Sequence, residues 1–280
     1  MASPASLLDV SEATDHDWNA GPPGAVELGT LLVSLLGPEP GDEVAFHRWY
    51  ERDHFYAGCM VGAWFFSGRR FVATSAHRAA RYPDLSPLVP KVREGAHLAL
   101  YWIERGHHEE AEPWAVRTVL GLNEQDRMHP RRQSHAGFYD VEWSWNRDED
   151  GVPVALALDH RYPGLAFIAV DRPEGAERGE LDAWYRETFL PDQLADSAVA
   201  SCLAAAPRPL PDDAPAYVTR TPGLDRRTLL LFFLERESLE VWPELFARHG
   251  EALAETGLGS VVFASPFTPT RAGTDALVQD

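Results

Sequence analysis

The chain has little cysteine, little basic charge and no long apolar run. Its 280 residues include two cysteines, Cys59 and Cys202, and neither lies in a metal-ligand or redox spacing. A disulfide-rich scaffold is therefore excluded, and we expect a reducing, cytoplasmic location. The chain has 25 basic against 43 acidic residues, and a net charge of -18 argues against a nucleic-acid partner. No apolar run approaches the roughly 20 residues that a membrane span needs, and no signal-peptide pattern opens the chain.

Several motifs that would announce a cofactor or a nucleophile are also missing. The sequence contains no GxGxxG after a strand, no GxxxxGK[ST], no GxSxG and no HExxH. His107, His108, Glu109 and Glu110 are adjacent, but neighbours at a helix start point in different directions and do not chelate one ion together. We therefore predict no metal and no organic cofactor.

Aromatic residues are plentiful, and some of them recur in matched segments. The chain contains 9 Trp, 13 Phe and 8 Tyr. The segment WYERDHFYA at residues 49–57 returns as WYRETFLPD at residues 184–192, and LALYWIER at residues 98–105 returns as LLLFFLER at residues 229–236. Two pairs of matched segments in the same order indicate a duplicated unit.

Each copy predicts the order strand, helix, strand, strand, helix, strand. The apolar runs LLVSLLG and LAFIAV are long enough for buried strands, and each ends in the turn and helix-start residues GPEPGDE and DRPEGAE. This order is the ferredoxin-like βαββαβ arrangement. One such unit leaves a sheet face uncovered, and a fused second unit would cover it. We therefore predict an α+β fold of two tandem ferredoxin-like units.

The predicted boundaries follow from these elements. The first unit spans residues 29–148 and the second spans residues 149–271. Residues 1–28 form a predicted flexible N-terminal extension, and residues 272–280 form a predicted flexible tail.

These features resemble the dimeric α/β-barrel superfamily, in which two ferredoxin-like units pair their sheets. The resemblance rests on W-Y-x-x-x-H from Trp49 to His54, on LALY at residues 98–101 and on the doubled unit. It implies a tandem-fused pseudo-dimer, monomeric or homodimeric, with a ligand pocket between the sheet and the helices of each unit. The superfamily includes cofactor-free oxygenases and isomerases as well as haem enzymes, so the fold does not select the function.

Three residues of the first unit are predicted to be catalytic. Tyr50 and His54 lie four apart on one helix, and Tyr101 lies on a strand that could pass opposite. An imidazole can transfer a proton near neutral pH, and phenols can stabilise an oxyanion. In the second copy Phe189 stands in the place of His54, and Phe232 stands in the place of Tyr101. This exchange suggests one reactive and one silent pocket. Alternatively, His54 is a cation that ends a helix.

Four further residues are predicted to bind substrate: Trp49, Phe66, Arg70 and His129. Arg69 and Arg70 are strand neighbours that point to opposite faces, so at most one reaches the pocket, where it would hold a carboxylate or an enolate. The segment MHPRRQSH at residues 128–135 is predicted to be a basic loop, either a lid or a solvated surface loop. The longer segments 75–95 and 208–227 are predicted to be loops that wall a pocket.

The leading prediction is an enzyme for a small, mostly apolar, aromatic or polyketide-like molecule. It would use cofactor-free acid/base chemistry of the isomerase, lyase, cyclase or oxygenase type. The alternatives are a hydrophobic-ligand binding protein, a structural pseudo-dimer with filled cavities, and a haem enzyme. For haem the formal ligand is His249, which we expect on a polar helix surface.

Overall fold

The computed structural model describes residues 26–209 and 221–278 and contains a closed, antiparallel eight-stranded barrel. The first unit comprises β1 (Leu28–Pro38), α1 (Glu43–Trp49), β2 (Phe65–Val72), α2 (Ser75–Ala79), β3 (His97–Glu104), α3 (His108–Glu124) and β4 (Arg131–Asn146). The second comprises β5 (Gly164–Asp171), α4 (Arg178–Trp184), α5 (Leu190–Leu194), β6 (Val199–Pro207), β7 (Arg227–Leu234), α6 (Ser238–Leu245), α7 (His249–Thr256) and β8 (Ser260–Pro269).

The strand order confirms the predicted fold. The first unit contributes β4-β1-β3-β2 and the second β8-β5-β7-β6, which are two ferredoxin-like sheets. One seam between them is β4 with β6, from Tyr139 opposite Pro207 to Asn146 opposite Ser201. The other seam is short, with β8 residues opposite Phe71 and Val72 of β2. The chain is therefore a tandem pseudo-dimer of the dimeric α/β-barrel type. The exact unit boundaries stay a prediction.

The barrel interior is a packed apolar core built by both units. Every second residue of a strand points inward, as Val33 of β1 and Leu231 of β7 do. Phe233 packs edge-on against Trp102 from the other unit. Burying a side chain of this size contributes about 1.5–3 kcal/mol, so the shared core holds the two units together.

The outward faces of the two sheets are covered by helices. In the first unit α1 and α3 pack over β3 residues such as Ala99, Tyr101 and Ile103. In the second unit α4 to α7 pack over the outward face of β5 to β8 in the same way. Each unit therefore has an apolar layer between its helices and its sheet, in addition to the barrel core. The layer of the first unit contains the predicted catalytic residues.

Both copies of the WY segment continue the preceding helix in π geometry. After α1 the π-helical turns are Tyr50–His54 and Tyr56–Met60, and after α4 the turn is Tyr185–Phe189. The N–H of Phe55 bonds to the carbonyl of Tyr50, five residues earlier. His54 thus lies inside a continuing helix, and the interpretation of a helix-ending cation is wrong.

The predicted basic loop is mostly a strand. Arg131, Arg132 and His135 all belong to β4, because β1 is long enough to pair with them as far as Pro38 opposite Arg131. Segment 75–95 contains α2 and, through Leu88, joins the barrel core.

Residues 272–278 of the predicted flexible tail are held against the first unit, and residues 279–280 lie outside the described residues. His47 donates from Nε2 to the carbonyl of Thr274 at 2.9 Å, and Arg48 pairs with Asp275. Val278 is buried. At the other terminus β1 begins at Leu28, while residues 1–25 of the predicted extension lie outside the described residues. Residues 210–220 of the predicted loop 208–227 also lie outside them.

Both cysteines are free and buried. Among the described residues, no helix combines the length and the apolarity needed to cross a bilayer.

Candidate functional site

Three buried polar side chains meet between α1 and the first sheet. The hydroxyl of Tyr101 on β3 lies 3.3 Å from the hydroxyl of Tyr50. The guanidinium carbon of Arg70 on β2 lies 4.5 Å from the centre of the Tyr50 ring, a cation–π distance. Arg70 also donates to Nδ1 of His47 at 3.3 Å. The structure thus brings Tyr50, Tyr101 and Arg70 together, and it places Arg69 on the opposite face, with its guanidinium at the carbonyl of Leu158.

His54 extends this cluster along the helix. Its ring stacks on Trp49 at 4.7 Å and on Tyr50 at 5.2 Å between ring centres. Only 9% of the residue is exposed, and the buried Nδ1 has no hydrogen-bond partner among the described residues. Burial, followed by the charge of Arg131, lowers the pKa of His54 to about 4. The imidazole is therefore neutral at pH 7.

The two phenols are protonated over the same range. Burial raises the pKa of Tyr50 and raises that of Tyr101 well above its ordinary value. Burial also lowers the pKa of Arg70, although a guanidinium stays charged near neutral pH. The cluster therefore contains one permanent cation, two hydroxyl donors and one unprotonated imidazole. This set can stabilise an oxyanion and accept a proton.

Close packing holds the π-helical turns against the sheet. Gly68 of β2 lies opposite Tyr101, and a Cβ at this position would come within 2.5 Å of the Met60 sulfur. A Cβ at Gly58 would come within 3.0 Å of the His54 ring. Glycine at position 68 therefore allows the π-helical turns to pack on β2 beside Tyr101, and glycine at position 58 leaves room for the His54 ring.

The second copy provides a direct comparison, because the strand registers fix which residues match. Tyr101 pairs with Gly68 on β2, and Phe232 pairs with Cys202 on β6. Two pairs further along, Arg70 matches Ala204, because their partners on β3 and β7 are the matched residues Ala99 and Leu230. Five polar residues of the first unit have apolar or smaller counterparts in the second unit. With the counterpart in parentheses, they are Ser34 (Ile168), His54 (Phe189), Arg70 (Ala204), His97 (Thr228) and Tyr101 (Phe232).

The second unit has a tyrosine–histidine pair of a different kind. The hydroxyl of Tyr185, the match of Tyr50, forms a hydrogen bond with Nε2 of His249 at 2.8 Å. The expectation that His249 lies on a polar surface is wrong: it is buried, and burial lowers its pKa to about 3. Leu253, one helical turn further along α7, is buried as well, so this side of the helix faces the core.

A haem group does not fit at His249. Phe189 and Phe232 pack on its ring at 4.7 and 6.2 Å between ring centres, and Tyr185 occupies Nε2. With Nε2 hydrogen-bonded and Nδ1 buried, neither ring nitrogen of His249 is open to a macrocycle.

The predicted substrate-binding residues divide between two sides of the sheet. Trp49 and His129 lie 5.6 Å apart beside the His54 stack, and Trp49 donates to the carbonyl of Arg127 at 2.7 Å. Phe66 was wrongly assigned, because it packs against the barrel interior rather than facing Tyr101. A bulge between Phe65 and Ser67 breaks the alternation along β2 and turns Phe66 inward.

The site is closed in this structure. Tyr50 and Tyr101 are each 1% exposed, and rings from α1 and its π-helical continuation lie directly on Tyr50. This packing agrees with the structural alternative, in which both cavities are filled. The segment 75–95 lines a separate cleft near His97.

No group of three or more histidine, cysteine or acidic side chains within residues 26–209 and 221–278 could hold a metal ion. His108 bonds to Glu112 at 2.9 Å, whereas the His107 ring stacks on Trp64.

Two buried histidines of this region, His47 and His97, were not singled out from the sequence. His97 lies four residues before Tyr101 on the same strand, so period-two alternation places both on the face that the helices cover. That spacing was the available signal. For His47 the signal was its position three residues before Tyr50, on the buried side of α1.

No family model and no curated protein matches the chain. Solved structures with a similar fold include an anthrone oxidase-like protein at 11% identity and a TM-score of 0.48, with 89% of this chain and 95% of the other covered. A dye-decolorizing peroxidase from Bacteroides thetaiotaomicron shares 8% identity at a TM-score of 0.48, with 90% of this chain and 96% of the other covered. A heme-binding protein from Thermus thermophilus shares 12% sequence identity at a TM-score of 0.43, with 88% of this chain and 93% of the other covered. Likeness at this level carries no argument about activity.

Proposed function

We propose that the first unit is the functional half of the chain and catalyses proton transfer on a small, mostly apolar molecule with a carbonyl or phenol oxygen. The observation that supports this proposal is the buried polar cluster of Tyr50, His54, Arg70 and Tyr101, of which the second unit keeps only the first tyrosine, as Tyr185. Unpartnered polar groups in a core cost about 1–3 kcal/mol each. A function in the first unit gives a reason for tolerating that cost.

The roles follow from the protonation states. His54, neutral because burial lowers its pKa to about 4, accepts the proton from a carbon beside the substrate carbonyl. The electron pair moves to the carbonyl oxygen, where the hydroxyls of Tyr50 and Tyr101 donate to the developing enolate. Arg70 adds a positive charge near Tyr50. The enolate in turn stabilises the imidazolium, which offsets the burial that keeps the imidazole neutral before reaction. Return of the proton to a different carbon completes an isomerisation.

Substrate entry requires the segment from Tyr50 to Met60 to move, because its rings fill the site. The two π-helical turns give this segment a wider backbone than an α-helix, and such turns are frequent at functional sites. Trp49, the outermost ring of the stack, is only half-buried. We expect the ligand to displace the Trp49 and His54 rings from Tyr50.

The test measures proton removal directly. Wild-type protein is incubated in D2O with 2-tetralone, a benzo-fused cyclic ketone with exchangeable protons, and NMR follows the loss of the proton signals beside the carbonyl. His54→Phe and Tyr101→Phe each introduce the residue of the second unit. We expect both to lower the protein-dependent exchange by about 100-fold or more, and Tyr185→Phe, the matched control, to leave it unchanged.

Exchange that persists in both variants would contradict the proposal. A thermal-shift assay on the same samples covers the second candidate function, binding without catalysis, for which the unpartnered Nδ1 of His54 is the favouring observation. If aryl ketones and phenols raise the melting temperature of the wild-type protein but no exchange occurs with any of them, the first unit is a binding site without catalysis.

A further inference from the structure

His47 connects the tyrosine cluster to a segment near the end of the chain. Its Nδ1 lies 3.3 Å from a guanidinium nitrogen of Arg70, and its Nε2 lies 2.9 Å from the carbonyl oxygen of Thr274. His47 itself is only 1% exposed. Arg70 in turn lies over the Tyr50 ring, 4.5 Å from its centre. A continuous row of contacts therefore leads from Thr274 through His47 and Arg70 to Tyr50.

These two partners decide which nitrogen of the His47 ring carries the hydrogen. A backbone carbonyl only accepts hydrogen bonds, and a guanidinium only donates them. Nε2 therefore donates to Thr274, and Nδ1 presents its lone pair to Arg70. The other tautomer would leave the carbonyl without a donor and would place an N–H against the guanidinium. The contacts thus select one neutral tautomer of the imidazole.

The charges around His47 agree with a neutral ring. Burial, followed by the charge of Arg70, lowers the pKa of His47. Glu51, whose carboxylate lies 3.6 Å from Nε2, and Asp275 act in the opposite direction. The His97 ring on β3 lies 6.2 Å away between ring centres, and burial holds the pKa of His97 well below its ordinary value. His47 is therefore neutral near pH 7 and accepts from Arg70.

Arg70 has few groups besides His47 to hold its side chain in place. Both hydrogen bonds of the guanidinium within residues 26–209 and 221–278 go to His47, one to Nδ1 and one to the backbone carbonyl at 3.4 Å. Over the same residues Arg70 forms no ion pair with a carboxylate, and its buried Nε has no hydrogen-bond partner. The position of this buried cation over Tyr50 therefore depends on His47.

The segment that binds Nε2 is itself fastened to the first unit. We call residues 270–278, which follow β8, the C-terminal strap. Through the hydroxyl of Thr270 the strap donates to the backbone carbonyl of Arg70 at 3.2 Å. Through the N–H of Gly273 it donates to the side chain of Glu51 at 3.0 Å. The carbonyl that selects the tautomer is therefore held against both β2 and the helix.

The second unit lacks both members of this pair. Counting back two residues from the matched tryptophans, Asp182 stands in the place of His47. Ala204 stands in the place of Arg70. The second helix packs on its sheet without either residue. Because the histidine and the arginine are absent together where the polar cluster is absent, the pair serves the cluster rather than the packing of the helix.

We propose that His47 is the positioning residue of Arg70, and that the C-terminal strap selects the imidazole tautomer that accepts from Arg70. This inference rests on the proposed proton transfer in the first unit. Held by His47, the guanidinium stays over the Tyr50 ring, where its charge stabilises the enolate as it forms. His47 acts through Arg70 and touches no substrate atom. Its loss therefore slows the chemical step more than it weakens substrate binding.

Two amide variants separate the two nitrogens of His47. The side-chain oxygen of asparagine can replace Nδ1 as an acceptor, whereas the side-chain nitrogen of glutamine can replace Nε2 as a donor. His47→Asn thus keeps an acceptor for Arg70, and His47→Gln keeps only the donor to Thr274. In the 2-tetralone exchange assay we expect His47→Gln to lower the limiting rate about tenfold with a change in KM below about twofold, and His47→Asn to stay within about threefold of wild type.

A matched control and a double variant exclude a purely structural effect. His77 is another buried histidine of the first unit, and its side chain bonds to Thr74 and Glu237 instead of to the cluster, so His77→Gln should leave the exchange rate unchanged. In an Arg70→Met background, His47→Gln should lower the rate no further, because no guanidinium is left to position. A further loss in that background, or equal losses in His47→Asn and His47→Gln, would overturn the proposal.

NMR of the imidazole nitrogens tests the inference without a substrate. In 15N-labelled wild-type protein at pH 7, the His47 ring should carry its hydrogen on Nε2 alone, and Arg70→Met should raise the pKa of His47, because a neighbouring positive charge is removed. A hydrogen on Nδ1, or a pKa that Arg70→Met leaves unchanged, would overturn the proposal. If these spectra agree but wild type exchanges no 2-tetralone, the proposed function fails while His47 still holds Arg70. Circular dichroism reports whether each variant folds.

Discussion

The buried imidazole of His54 predicts how the stability of the protein responds to mild acid. Burial lowers the pKa of this group from 6.5 in the unfolded chain to about 4 in the folded protein. The unfolded chain therefore binds a proton more readily than the folded one between these values. The stability that depends on a neutral His54 is therefore fully present above pH 6.5 and is lost as the pH falls toward 4.

The size of the effect follows from the two pKa values. Between about pH 7.5 and about pH 5.5, His54 alone removes about 1 kcal/mol from the free energy of unfolding. His135 and His249, whose pKa values burial lowers to about 3, act in the same direction. The wild-type protein should thus lose several kcal/mol over this range, and His54→Phe should lose about 1 kcal/mol less than wild type.

Urea unfolding at both pH values measures the difference. His160→Gln is the matched control, because that side chain is exposed, and its loss between the two pH values should equal that of wild type. If His54→Phe loses as much stability as wild type does, His54 is not held neutral by burial. A role for His54 as a neutral base would then be refuted as well.

Three further predictions concern stability. Asp171→Asn leaves the fully buried Arg227 without its anion and should cost about 3–5 kcal/mol, a drop of roughly 10 °C in a thermal melt. The double variant Asp171→Gly with Arg227→Ala should cost less than Asp171→Asn, and an equal or larger cost would show that the ion pair itself stabilises the fold. Tyr185→Phe removes the 2.8 Å bond to His249 and should cost about 1 kcal/mol in urea unfolding; no change would mean that this bond is unimportant. Arg81→Met removes donors to four acceptors, Ser265 and three carbonyls, and should cost about 3 kcal/mol or more; a melt within about 2 °C of wild type would contradict this.

The fold was predictable because the duplication is visible in the sequence. Trp49 and Tyr50 return as Trp184 and Tyr185, and the LALY strand returns as LLLF at residues 229–232. These elements give the order βαββαβ twice, and the barrel follows because each open sheet needs a cover. The extent of β4 was not predictable in the same way. Its first residues are polar and basic, and they form a strand only because β1 pairs with them.

The site was predictable where spacing decides which face a residue occupies, and not where a local irregularity does. Helical and strand periodicity predict the faces of Tyr50, Tyr101 and Arg70, which lie close together in the structure, and their roles stay a prediction. Phe66 was misplaced because counting by twos from Arg70 passes through a bulge that a sequence does not reveal. His249 was misplaced because its polar neighbours concealed a buried position next to Tyr185.

The two halves of the chain separate what the fold requires from what it does not. Both keep the tryptophan and tyrosine of the WY segment and the π-helical turn after them, so these features suffice to pack a helix on its sheet. His54 and Arg70 have no such role, because Phe189 and Ala204 fill the same places in a well-packed layer. Each polar group adds a desolvation cost that the second unit avoids. Groups that the fold can omit, and that cost stability where they are present, point to a function in the first unit.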